Sequence, residues 1–165
     1  MHSPLALSYQ SRVLSAYEGE ILGEAFFRVL AEEADGKVRA KLVELAGIEK
    51  LVAGALLPLV LRYRLEPKSA EMLAKKARDE ALDYAKLGWT EFAVKLKNLL
   101  GPFVREFQIL LGEAPVEDRP YIQLLLDHEI ALFDFAQTEG EESTDGQHHL
   151  DSFVKKHKAL LPSGN

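Results

Sequence analysis

Three glutamates stand on helical stripes that are otherwise apolar, and they are the residues best placed to do chemistry in this chain. Between residues 41 and 57, Leu42, Leu45, Val52 and Leu56 recur at three- and four-residue intervals and form one face of a helix. Glu49 is four after Leu45 and three before Val52, so its carboxylate falls on that face. Leu125, Glu129 and Leu132 repeat the same steps between 121 and 136. Glu20 interrupts a third stripe, made by Val13, Tyr17, Phe27, Leu30 and Ala31, with Glu24 one turn further along. An ionised carboxylate is costly to bury, so a cation, a basic partner, trapped water or a shared proton has to balance each one. Oxygen donors suit a hard divalent cation. A metal-free polar core is the alternative, and a third reading turns the helices so that the glutamates face outward.

His128 directly precedes Glu129, and either residue is a candidate for the inward group. An imidazole in that place is a proton carrier near neutrality, or else a hydrogen-bonded core residue. His148 and His149 fall at the start of the last helical stretch, with no third ligand at a useful spacing. Trp89, Phe92, Phe103 and Phe107 read as core. Gly-rich phosphate loops and the Gly-x-Ser-x-Gly elbow do not occur.

The elements that must position these residues are helices. After a lead-in over 1–7, a long helix is expected over 9–34. Asp35-Gly36 is a turn signal, with glycine suited to a left-handed helix stop. A second helix spans 37–63, and Pro58 inside it should bend it or end it early. Ser69 caps a shorter linking helix that reaches about residue 87. A third main helix carries Trp89, Phe92, Leu96, Leu99, Phe103, Phe107 and Leu110, with a kink or break expected at Gly101-Pro102. Asp118 caps a fourth over 119–138, with Pro120 in its first turn. An acidic loop over 139–146 precedes a terminal amphipathic helix bearing Leu150, Phe153, Val154, His157 and Leu160, whose end at 162–165 is frayed. Alternating strand patterns are nearly absent.

The chain has 165 residues, which fits one domain over 1–165 with a single core. The net charge of −6, with basic residues scattered among acids, argues against nucleic acid as a partner. With no cysteine, disulfides, thiolate catalysis and Cys-type zinc or iron–sulfur sites are excluded. The most apolar run, 51–61, is too short to span a bilayer, and the N-terminus lacks a secretory pattern, so a cytoplasmic location is expected and no membrane partner.

The glutamates and their helix order resemble the ferritin-like superfamily, and within it the rubrerythrin-like bundles. The likeness covers roughly residues 8–139 and lies in Tyr17-Glu-Gly-Glu20-Ile-Leu-Gly-Glu24, in Leu45-Ala-Gly-Ile-Glu49, and in His128-Glu129 with the helix that follows. It implies an all-α, antiparallel four-helix bundle with an extra linking helix and a C-terminal helix. It implies Glu20, Glu49 and Glu129 as metal ligands, with Tyr17, Glu24 and His128 beside them as proton or electron partners. The family's Glu-x-x-His is broken at both places, because Val52 and Leu132 stand where the histidines belong. On the third helix, Glu91 and Glu106 each lie beside the stripe rather than on it. The expectation is therefore an altered or lost dinuclear centre, holding a single divalent Fe or Mn or none. Any activity would be a metal-dependent oxidation by dioxygen or peroxide. The alternative is a non-enzymatic interaction protein, and a homodimer is expected in either case.

Overall fold

The first helix starts earlier than the lead-in expected over 1–7 allows. In the computed structural model, which describes residues 4–141 and 145–163 and the side chains from residue 9 onward, α1 runs Pro4–Glu32. Proline suits a first helical position, where its missing N–H is no loss. The chain is all-helical over the described residues and continues with α2 (Gly36–Arg62), α3 (Ala70–Tyr84), α4 (Trp89–Glu113), α5 (Arg119–Gly140) and α6 (Gln147–Lys156). Residues 142–144 of the expected acidic loop and 164–165 of the expected frayed end lie outside the described residues, as do 1–3 of the lead-in. The chain divides into two compact units, Met1–Lys86 with Pro162–Asn165, and Leu87–Leu161.

In the first unit, α1 ends by tightening, with Glu33 N–H donating to Leu30 O and Ala34 N–H to Ala31 O. Gly36 then takes φ +58°, the left-handed value that favours glycine, and α2 begins on it. Tyr9 of α1 meets Tyr63 just past the end of α2, ring edge to ring face at 6.2 Å, while Gly23 and Glu49 meet near the middle of both helices. Pro58 does not end α2, which continues to Arg62. The helix stops instead in a Schellman arrangement, with Leu65 N–H on Val60 O at 2.9 Å and Arg64 N–H on Leu61 O at 3.2 Å. Arg64 sits there at φ 53°, a conformation usually given to glycine. Ser69 caps α3 as expected, its hydroxyl accepting from Met72 N–H at 3.2 Å. Leu73, Ala77 and Ala81, spaced by four, form the buried stripe of α3. An Arg78–Glu32 ion pair and a Phe26–Tyr84 ring contact tie α3 to α1.

In the second unit, α4 runs through Gly101 and Pro102 without the expected break. Its buried face is Phe92, Ala93, Leu96, Leu100, Phe107 and Leu110, so Leu99 and Phe103, expected inside, are corrected to exposed positions. Leu99 and Leu100 are 100° apart on the helix and compete for the same inward direction; Leu100 takes it. Gly140 of α5 lies against Val94 of α4, where a Cβ would come within 3.2 Å of Val94 Cγ2. Asp118 holds the cap position of α5 through its backbone carbonyl, which accepts from Tyr121 and Ile122 N–H, and its side chain makes no cap bond. The buried residues of α5 include Ile122, Leu124, Leu125, Leu126, Ala131, Leu132, Phe135 and Ala136, which cover most of its circumference. Full burial of each large aliphatic side chain contributes roughly 1.5–3 kcal/mol.

A charged clasp fastens α6 to α5. Asp127 accepts from Gln123 Nε2 at 2.9 Å, from Lys156 Nζ at 2.9 Å and from His157 Nε2 at 2.8 Å. Burial by itself would raise the Asp127 carboxyl, but hydrogen bonds from Lys156, His157 and Gln123, with the charge of Lys156, outweigh it and hold it below the usual carboxylate range. A depressed folded value means that the clasp's stabilisation is present above the unfolded value of about 3.9 and is lost as pH falls through the folded one. Exchange protection of the α6 amides, corrected for intrinsic rates, should thus hold from neutral pH to about 5 and drop below about 4. Asp127→Ala should lower that protection at neutral pH by roughly 1–3 kcal/mol. Unchanged protection in the variant would remove the clasp from the account of α6.

Candidate metal centre

Glu20 and Glu49 reach the same place because α1 and α2 bury the faces that carry them. On α2, Leu42, Leu45, Val52, Leu56 and Leu59 line the buried stripe, and Glu49 takes its turn among them. On α1, Val13, Ala16, Phe27, Leu30 and Ala31 are buried around Glu20. The two glutamates are only 4% and 5% exposed, and each brings a carboxylate oxygen within 4.8 Å of the other's. Two ionised carboxylates at that separation repel by about 3 kcal/mol at an effective dielectric constant near 20. A divalent cation reached by both oxygens converts that repulsion into attraction. The donor set, two carboxylates and no thiolate, fits a hard or borderline cation such as Mn²⁺ or Fe²⁺.

The Glu49 carboxylate lies directly on the backbone of α1. A Cβ added at Gly23 would be 2.8 Å from Glu49 Cδ and Oε2 and 3.2 Å from Oε1. Gly19 and Gly47, the neighbouring glycines of the two helices, have open space instead.

The other expected residues are placed as follows. Glu24 is half-buried, and its carboxylate is turned to Arg28 on its own helix, with Oε1 3.0 Å from the guanidinium. Tyr17 is half-buried on α1. Glu129 and His128 belong to the second unit, on α5, and both are buried, at 7% and 1% exposure. The choice between them as the inward group thus has no single answer on a helix covered nearly all round. The His128 ring packs against Phe153 of α6 at 5.4 Å. Glu91 and Glu106, weighed as third-helix ligands, are exposed. His148 and His149 stack on one another at 3.9 Å, with His149 Nε2 3.1 Å from the Thr138 hydroxyl.

Two acids not expected inside are also buried, Glu139 and Asp118. Glu139 follows Phe135 and Ala136 by four and three residues, so the stripe of α5 extends to it, although its acidic neighbourhood reads as loop. Asp118 is fully buried at the turn into α5, and nothing in Glu117-Asp118-Arg119-Pro120 marks it as such. Val52 and Leu132, the apolar residues one turn beyond Glu49 and Glu129, are both buried. No family model, curated protein or solved structure matches this chain.

Val52 lies three residues from Glu49 on the same buried stripe, so a longer polar side chain there points toward the carboxylates. Val52→His should cost roughly 1–3 kcal/mol of stability in chelator, because a buried imidazole replaces an alkyl group. Added Co²⁺ should return much of that loss as a rise in denaturant midpoint. A variant destabilised equally with and without Co²⁺ would show that residue 52 does not address the glutamates.

Proposed function

We propose that the chain is a divergent ferritin-like helical protein whose dinuclear centre is reduced to a site for one weakly held divalent cation. One observation carries this reading: two glutamates from consecutive helices are buried on apolar faces with carboxylate oxygens within 4.8 Å. The antiparallel bundle belongs to the same proposal and is supported by helix contacts that pair residue 9 with 63 and residue 23 with 49. Glu20 and Glu49 are the ligands on geometric grounds. Glu129 enters as a ligand, and His128 as its proton-carrying neighbour, on the sequence repeat. Held by these residues, iron or manganese would supply one-electron chemistry toward dioxygen or peroxide. The first unit's own contribution is two carboxylate oxygens on buried faces, where Val52 stands in place of a neutral ring nitrogen.

Anaerobic titration with Fe²⁺ and Mn²⁺, followed by calorimetry, should give one ion per chain. Glu20→Gln and Glu49→Gln should each weaken it at least about tenfold, equivalent to about 1.4 kcal/mol. Glu129→Gln and His128→Gln report whether α5 takes part. Two tightly bound irons, with the dioxygen-dependent absorbance of an oxo-bridged pair, would replace this reading by an intact di-iron oxidase. No binding at millimolar metal would leave a metal-free polar core.

A homodimer is a second reading, favoured by the side chains that α4 leaves outside. Leu99 and Phe103, one turn apart, are 45% and 42% exposed. A contiguous exposed apolar patch marks an association face, and on this reading the two side chains are the centre of one. Light scattering should give twice the chain mass, and Leu99→Lys with Phe103→Glu should halve it. A wild-type monomer at high micromolar concentration would end this reading.

A further inference from the structure

Glycine inside a helix is unfavourable, and α1 keeps one at the point where the second carboxylate arrives. Gly23 lies three residues after Glu20 and therefore on the same side of α1. All three atoms of the Glu49 carboxylate group would lie within 3.2 Å of a Cβ there, closer than ordinary carbon contacts allow. The nearest obstruction is the far end of a flexible side chain, so a methyl group at 23 moves Glu49 rather than the helices.

We infer that Gly23 is a positioning residue, whose missing side chain is the seat of the Glu49 carboxylate and sets its distance from Glu20. The seat rests on geometry alone, while its effect on a cation rests on the metal-site reading above. Any side chain at 23 pushes the carboxylate off the α1 backbone and opens the pair. Shortening residue 49 by one methylene withdraws its carboxylate and makes room for the methyl group. The effect of a substitution at 23 therefore depends on the length of the acid at 49, which a merely helix-stiffening role for position 23 does not predict.

The test compares the wild type, Gly23→Ala, Glu49→Asp and the double variant by Mn²⁺ affinity and by Tm in chelator. Circular dichroism confirms that each is folded; alanine, the better helix former, favours α1 in both backgrounds. Gly23→Ala should weaken Mn²⁺ at least tenfold in the wild-type background and less than threefold in the Glu49→Asp background. In chelator, the same substitution should raise Tm more when residue 49 is aspartate than when it is glutamate. Equal effects in the two backgrounds, on both readouts, would overturn the seat. A wild type that takes up no Mn²⁺, with a Tm effect that still depends on residue 49, would keep the seat and overturn the cation reading.

Discussion

The first unit is constrained where the Glu49 carboxylate meets the backbone of α1 at Gly23. This contact requires α1 and α2 to meet where one of them has no side chain, and glycine there costs about 1 kcal/mol of helix stability relative to alanine. Two carboxylates also occupy positions where leucine-sized groups would each contribute roughly 1.5–3 kcal/mol by burial. Those losses fall on a face whose other members, Leu45, Val52, Leu56 and Leu59 among them, are almost wholly buried. The apolar stripe holds the helices together, and the polar pair within it is tolerated because the stripe is long.

The second unit treats its buried polar groups differently. Asp127 is a half-buried residue of α5, where three donors converge on it and keep its charge. The result is a fastening for α6, whose own ten residues bury only Leu150 and Phe153. So short a helix has little intrinsic stability in water. Its place depends on Phe153 packed on His128 and on the charged clasp at Asp127, the residue just before it on α5. A carboxylate met by cations stabilises by staying ionised. The Glu20–Glu49 pair instead brings two carboxylate oxygens within 4.8 Å of one another on buried helix faces.

Helix identity was legible in the sequence because apolar residues recur at three- and four-residue steps over long stretches, and the inward direction of Glu20, Glu49 and Glu129 followed from the same steps. The Ser69 cap was legible too, since a serine before an amphipathic run has one structural use. Boundaries were less so. Of the two outcomes expected at each proline, a bend or a stop, the stop occurs at neither 58 nor 102, because packing along a whole face outweighs one missing backbone hydrogen bond. The stop of α2 is an exception, expected at 63 and found at Arg62, although Arg64 rather than a glycine takes the left-handed turn there.

Periodicity says which way a residue points from its own helix, and so the sequence by itself determined an all-helical chain and three acids turned inward. It carries no information on what stands opposite. Only the tertiary structure decided that Glu49 meets Gly23 beside Glu20, and that Leu100 rather than Leu99 enters the core of α4. Each of those outcomes depends on the axial register and rotation of one helix against another. Register is set by the sum of many interlocking contacts, and a single helix viewed alone leaves it open.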